Sequence, residues 1–115
     1  NYIFKHKYTE LYCSKIKLNQ IKAWRMHKKI FSLLTLVYGK VRLVYCPMNG
    51  KEKNIKEIIL SNEENYIIQV PPKFWYGFKC MSESNSIIIN CIDKPFDKGE
   101  TVSCSIDELA FKYEW

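Results

Sequence analysis

The sequence has little of what would place it outside the ordinary globular proteins. Four glycines and four prolines in 115 residues argue against a linker or a fibrous chain. A hydrophobic share of 47% with 26% charged residues excludes intrinsic disorder. No apolar run approaches the roughly 18 residues that a membrane-spanning helix needs. A chain of this length has room for one hydrophobic core, so we predict a single domain over residues 1–115.

No segment resembles a signal peptide, and the cysteines do not form a disulfide pattern. The chain begins with Asn1 rather than Met, so we expect an upstream segment to be missing or processed and the N-terminal strand to be truncated. Five cysteines are an odd number without C-x-x-C spacing, and most lie in apolar stretches. This usage predicts buried, reduced thiols and a cytoplasmic location. The cysteines are Cys13, Cys46, Cys80, Cys91 and Cys104.

Positive charge is concentrated in the first half of the chain. Residues 1–60 hold 13 Lys and Arg against 3 acids, whereas residues 61–115 hold 5 against 9. A basic half attracts an anion, which could be nucleic acid, an acidic membrane or a phosphorylated small molecule. The basic residues are spaced singly through apolar stretches, and Lys28-Lys29 is the longest run. We therefore expect neither nucleic acid nor membrane as the partner, and favour a small phosphorylated ligand.

Short strand-like runs separated by turn signals dominate the chain. We predict strands over 11–16, 21–27, 32–46 with a break at Gly39, 55–60, 66–70, 76–80 and 87–92. This spacing is typical of a small all-β sandwich or barrel. Near the end, Ser105 is a possible N-cap followed by Asp107 and Glu108, which predicts a short C-terminal helix.

Two stretches contain the side chains that chemistry would need. His27 ends a strand on which it shares a face with Arg25, and a histidine beside a guanidinium suits a bound anion. The alternative is a histidine at the solvent edge of the strand. Further on, Pro71-Pro72 leads into Phe74, Trp75, Tyr76, Gly77 and Phe78. These aromatic side chains suit a stacked base or sugar ring, or equally an ordinary aromatic core.

Together the two stretches give a resemblance to a known family. Residues 22–27 (K-A-W-R-M-H), Gly39 and residues 71–78 (P-P-K-F-W-Y-G-F) resemble the cupin motifs of the dTDP-4-dehydrorhamnose 3,5-epimerase family and its shorter relatives. The terminal K-Y-E-W is similar to the P-Y-D-W ending of the short relatives. The resemblance extends from about residue 11 to residue 115. It implies an all-β cupin jelly-roll barrel, which is usually a homodimer with the N-terminal strand near the contact.

The sequence departs from the motifs of that family at the chemical positions. Where cupins place four metal ligands, only His27 remains, and Arg25 replaces another histidine. We therefore expect no bound transition metal and no cofactor. The resembling family uses a His base, a Lys that stabilises an enolate and a Tyr acid. Arg25 occupies the base position here, and its guanidinium remains protonated at neutral pH.

The resemblance implies a sugar-nucleotide epimerase or isomerase that acts on a 4-keto-6-deoxyhexose in cell-surface polysaccharide synthesis. The alternative is a non-catalytic cupin that binds a sugar nucleotide or a partner enzyme. For the first function we predict His27 as the base and Tyr76 as the acid. Lys22, Arg25 and Trp75 are predicted to bind the substrate. Strict alternation places Lys22 on the opposite face from Arg25, so Lys22 can reach the pocket only through a bulge or an edge position.

Overall fold

The computed structural model describes residues 7–109 and 112–115, and these form two antiparallel β-sheets. Nine strands follow in chain order, with a short 3₁₀ helix, Glu52–Asn54, between the fourth and fifth. The strands are β1 Glu10–Ile16, β2 Ile21–His27, β3 Ser32–Tyr38, β4 Lys40–Pro47, β5 Lys56–Ser61, β6 Ile68–Val70, β7 Phe74–Cys80, β8 Ser86–Ile92 and β9 Thr101–Ser103. The predicted strands are confirmed to within a few residues, while β9 and the 3₁₀ helix were not predicted.

The sheets contain four and five strands. The first has the order β1-β8-β3-β6 and the second the order β5-β4-β7-β2-β9. The all-β prediction is correct, but the predicted barrel does not close. In the described ranges no ladder joins the edge strands of one sheet to those of the other, so the architecture is two facing sheets.

The core lies between the inner faces of the two sheets. Period-two alternation sends every second side chain inward, and these positions carry apolar residues. The first sheet contributes Ile16, Leu34, Leu36, Val70 and Ile88 to the core, and the second contributes Val41, Leu43, Leu60, Tyr76 and Cys80. Burial of these side chains is the main force that holds the sheets together.

The turn at Gly39 requires a residue without a side chain. Gly39 has a φ of 101°, and an added Cβ would lie 2.3 Å from the Oγ of Ser86. Ser86 is fully buried, and its hydroxyl donates to the carbonyl of Lys40 at 3.1 Å. The same oxygen accepts the Lys40 amide at 3.0 Å. The sequence prediction of a hairpin break at this position is confirmed.

The predicted C-terminal helix is wrong in the described part of the tail. Ser105 and Glu108 form a single turn, in which the Glu108 amide donates to the Ser105 carbonyl at 3.1 Å. Residues 110 and 111, which the predicted helix included, lie outside the described residues. One helical turn forms too few hydrogen bonds to offset the entropy that is lost when a helix nucleates. Instead, Tyr113 and Trp115 pack on Trp24, with ring centroids 6.2 and 5.2 Å away.

Strands β2 and β7 approach each other closely at Gly77. A Cβ at Gly77 would lie 2.6 Å from the Cβ of Ala23 and 3.1 Å from the carbonyl oxygen of Lys22. We expect Gly77→Ala to lower the free energy of unfolding by about 1–3 kcal/mol, because the strands must separate to admit the methyl group.

Urea denaturation of the Gly77→Ala variant beside Gly99→Ala tests this expectation. A Cβ at Gly99 finds its nearest neighbour at 3.6 Å, so this control should change stability little. Equal stability of the two variants would contradict the close approach.

Candidate functional site

A cavity of about 400 Å³ lies between the two sheets. Its walls come from opposite sheets, and this position suits a ligand that enters between them. The first sheet contributes Ser14, Ile16, Leu34, Ile88 and Asn90, and the second sheet with the residue after β9 contributes Lys22, Ala23, Trp24, Arg25, Tyr76, Phe78, Ser103 and Cys104. The lining contains two cationic side chains and no acidic one among the described residues, so an anion is the favoured occupant.

A β-bulge in β2 brings both cations to the same wall. Lys22 pairs with Phe78 and Arg25 with Tyr76, so two residues of β2 face the single residue Gly77. The extra residue reverses the alternation between positions 22 and 25. Lys22 and Arg25 therefore both line the cavity.

Tyr76 belongs to the core and also lines the cavity. Burial raises the pKa of Tyr76 to about 12, although the nearby Arg25 guanidinium acts in the opposite direction. The phenol consequently keeps its proton throughout the neutral range. In this state it can donate a hydrogen bond or a proton to a bound ligand.

Behind Tyr76 lies a chain of hydrogen bonds that runs away from the cavity. The Tyr76 hydroxyl is 3.3 Å from Nε2 of His27, and Nδ1 of His27 is 2.8 Å from a carboxylate oxygen of Glu100. His27 is only 5% exposed and does not line the cavity itself. A proton at Tyr76 can therefore exchange with His27 without reaching solvent, and Glu100 can stabilise the resulting imidazolium.

Several donors hold Glu100 in this position. Its second carboxylate oxygen accepts the amides of Lys29 and Ile30, each at 2.9 Å. Burial raises the pKa of Glu100, but these amides and His27 outweigh it, so the pKa lies below its ordinary value. Glu100 is therefore ionised at neutral pH. The sequence pattern does not reveal Glu100, because it lies 73 positions from His27 and before a strand of only three residues.

The turn after Pro71-Pro72 aligns β7 with the end of β2. Lys73 adopts a positive φ of 65°, and its amide donates to the carbonyl oxygen of His27 at 2.7 Å. The sequence predicted that this turn brings Trp75 and Tyr76 to one pocket. Alternation separates them: Tyr76 lines the cavity, whereas Trp75 pairs with Cys46 and is absent from the lining.

Within residues 7–109 and 112–115, no group of three or more His, Cys, Asp or Glu side chains is arranged to hold a metal ion. The described part of the chain also contains no helix that is long and apolar enough to cross a membrane. The cavity wall instead contains two cations and the protonated Tyr76, and the buried histidine–carboxylate pair lies next to Tyr76 outside the wall.

Solved structures with a similar fold include a dTDP sugar isomerase and dTDP-4-dehydrorhamnose 3,5-epimerases. Neither protein-family models nor curated proteins match the chain. Among solved structures, a dTDP sugar isomerase from Desulfovibrio desulfuricans G20 is similar with a TM-score of 0.80 and 27% identity, over 89% of this chain and 68% of that one. The sequence-based resemblance is confirmed at this level, since the structural neighbours are dTDP-sugar isomerases and dTDP-4-dehydrorhamnose 3,5-epimerases.

Two epimerase structures extend the comparison of the fold. The dTDP-4-dehydrorhamnose 3,5-epimerase from Elizabethkingia anophelis NUHP1 has a TM-score of 0.78 and 17% identity, over 94% of this chain and 62% of that one. The enzyme of that name from Bacillus anthracis str. Ames, with TDP and PPi bound, has a TM-score of 0.77 and 17% identity, over 94% of this chain and 66% of that one. The chain thus spans about two thirds of the length of these neighbours.

The ionised state of Glu100 can be tested through stability. We expect Glu100→Gln to lower the free energy of unfolding by about 1–3 kcal/mol at pH 7, because two amides and His27 lose a charged acceptor. Since the pKa of Glu100 is lowered in the folded state, its contribution is present above pH 4.5 and is lost as the pH falls through the folded value. The difference between wild type and variant should therefore narrow in acid.

Urea denaturation at pH 7 and at acidic pH measures this difference. Glu114→Gln is the matched control, because Glu114 is exposed, and it should change stability little at either pH. A Glu100→Gln effect of the same size at both pH values would contradict the assignment.

Proposed function

We propose that this chain is a cupin-like sugar-nucleotide epimerase or isomerase that acts on a 4-keto-6-deoxyhexose linked to a nucleoside diphosphate. The observation that carries the proposal is a cavity lined by Lys22, Arg25 and Tyr76, in which the Tyr76 hydroxyl is hydrogen-bonded to His27 and His27 to Glu100. The dTDP-sugar isomerase and epimerases among the structural neighbours support the same class of ligand.

The two cations fit the diphosphate part of such a ligand. Arg25 offers a planar guanidinium that can bind a phosphate with two hydrogen bonds, and Lys22 adds a point charge. The Lys22 ammonium lies at the exposed rim, where it donates to the Lys15 carbonyl at 3.2 Å and can turn toward a phosphate. Phe78, which also lines the cavity, gives the sugar or base an apolar surface.

The chain of hydrogen bonds supplies the proton transfer. The carbonyl at C4 of the sugar acidifies the C–H bonds of its neighbouring carbons. As one of these protons passes to the Tyr76 oxygen, the phenolic proton passes to Nε2 of His27, giving an enolate and an imidazolium that Glu100 stabilises.

The reverse transfer completes the reaction. His27 returns its proton to Tyr76, and Tyr76 protonates the enolate. Because Tyr76 acts on one face of the sugar, protonation of the adjacent atom on that face gives an isomer. An epimer forms when water protonates the carbon on the opposite face and His27 releases the abstracted proton to solvent. In this scheme His27 is the base that acts through Tyr76, and Tyr76 is the acid that contacts the substrate. Trp75 has no role in it, because its side chain is not in the cavity wall.

Deuterium exchange tests the proposed reaction. We expect the wild-type protein, incubated with dTDP-4-keto-6-deoxyglucose in D₂O, to incorporate deuterium at C3 or C5, as measured by NMR or mass spectrometry. Tyr76→Phe and His27→Gln should each slow the exchange by about 10²–10⁴-fold, because either change breaks the chain of hydrogen bonds.

The control for this experiment is Tyr66→Phe, since Tyr66 is exposed and its hydroxyl contacts only the side chain of Glu64 among the described residues. Binding without exchange would favour the alternative function, a non-catalytic protein that holds a sugar nucleotide or a partner enzyme. The absence of both exchange and binding would contradict the proposed ligand class itself.

We also propose that two copies of the chain associate along β1. This strand lies at the edge of the four-stranded sheet, and it exposes Leu11 by 61% and Tyr12 by 41%. Exposed apolar side chains on an edge strand favour pairing with another chain. We expect sedimentation to give twice the 13.7 kDa mass of one chain at tens of micromolar, and Leu11→Lys to shift the distribution toward the monomer. A single 13.7 kDa species for the wild type would contradict this association.

A further inference from the structure

One polar side chain lies in the apolar inner face of β8. The inward positions of this strand are Ser86, Ile88, Asn90 and Ile92. Ile88 and Ile92 are buried, and the register partner of Asn90 in β3 is the buried Leu34. An amide at the centre of such a row weakens the packing of the sheet unless it has hydrogen-bond partners.

The side-chain oxygen of Asn90 has no such partner among the described residues, although it is buried. Ser86, the other polar residue on this face, is satisfied because its hydroxyl bonds both the amide and the carbonyl of Lys40. A buried acceptor without a donor is uncommon in folded proteins and calls for a specific explanation.

The location of Asn90 supplies the explanation. Asn90 lines the cavity from the first sheet, while Tyr76, Lys22 and Arg25 line it from the second. A ligand that fills the space between the sheets would lie against Asn90, and rotation of the side-chain amide about its terminal torsion would turn the orphan oxygen toward a donor of that ligand. An amide oxygen accepts a hydrogen bond from a hydroxyl or an N–H group, and it cannot donate one to a phosphate oxygen.

We propose that the side-chain oxygen of Asn90 accepts a hydrogen bond from a ring hydroxyl of the bound hexose and thereby selects hydroxylated sugar nucleotides over the free nucleotide. This inference rests on the proposed function. The hexose is the favoured source of the donor because its reacting carbons must face Tyr76, whereas Lys22 and Arg25 hold the diphosphate. A site built around a hydroxyl discriminates strongly, because the acceptor is left unpaired when the hydroxyl is absent.

Replacement of the amide by a hydrocarbon of similar size tests the proposal. We expect Asn90→Leu to weaken the binding of dTDP-glucose and of dTDP-4-keto-6-deoxyglucose by at least about tenfold in calorimetric titrations, the loss of one buried hydrogen bond. The affinity for dTDP itself should stay within about twofold of the wild type, because dTDP lacks the hexose.

The ligand-free protein provides a second measurement. If the unsatisfied oxygen destabilises the ligand-free protein, Asn90→Leu should melt at a higher temperature than the wild type, since it removes a buried unsatisfied acceptor. Gln69→Leu is the matched control, because Gln69 carries an exposed amide on β6 of the same sheet. The control should leave the affinities for all three ligands unchanged. Asn90→Ala, which adds no bulk, should show the same selective loss of sugar-nucleotide binding.

Each other outcome overturns a stated part of the account. An equal loss of affinity for dTDP and for the sugar nucleotides would overturn the proposal, because Asn90 would then contact the nucleotide. Unchanged affinities together with a lower melting temperature would also overturn it, since Asn90 would be structural. In both cases the proposed function stands, because the wild type still binds its ligands. Failure of the wild type to bind any of the three ligands would overturn the proposed function and this inference together.

Discussion

The site depends on one backbone constraint, the extra residue of β2 opposite Gly77. With regular pairing, positions 22 and 25 would face opposite sides of the sheet, and the cavity would contain one cation instead of two. The bulge places Lys22 and Arg25 in the same wall. It requires a partner strand without a side chain at this position, because the Cβ of Ala23 would be only 2.6 Å from a Cβ at Gly77. Lys22 and Arg25 therefore share one cavity wall because Gly77, which has no side chain, leaves room for the bulge.

The polar groups on the two walls of the cavity differ in how well they are satisfied. On one wall, Tyr76 contacts His27, and His27 contacts Glu100, which also accepts two backbone amides. On the opposite wall, the oxygen of Asn90 has no donor among the described residues. A network in which every group is hydrogen-bonded fixes its members in position. A buried group without a hydrogen bond raises the free energy of the folded protein, and a ligand that supplies the missing bond lowers it again. This difference fits the proposed roles: Tyr76, His27 and Glu100 are held rigidly for proton transfer, and Asn90 forms its hydrogen bond only with the ligand.

The strands could be predicted from the sequence because alternation, turn residues and the Gly39 break are local signals. The C-terminal helix could not be excluded on local grounds, since Ser105 and Glu108 do form a turn. The positions of Tyr113 and Trp115 depend on distant residues, because both rings pack on Trp24 and the Arg42 guanidinium donates to the Trp115 carbonyl. That Tyr76 and Trp75 point to opposite faces of β7 could be predicted from strand alternation alone. Glu100 could not be predicted, because its partners His27, Lys29 and Ile30 are 70 or more residues away. The orphan oxygen of Asn90 depends on both sheets being in place, although an Asn between two inward isoleucines was a signal in the sequence.

The central claim is that a sugar nucleotide binds between the two sheets. Amide chemical-shift mapping by NMR during a titration with dTDP-glucose tests it most directly, because every strand reports separately. The account predicts that the largest shifts fall on β2 around the bulge, on β7 around Tyr76 and on β8 around Asn90, while β5 and the 3₁₀ helix change little. Shifts confined to strands outside the cavity, or no shifts at millimolar ligand, would contradict the account.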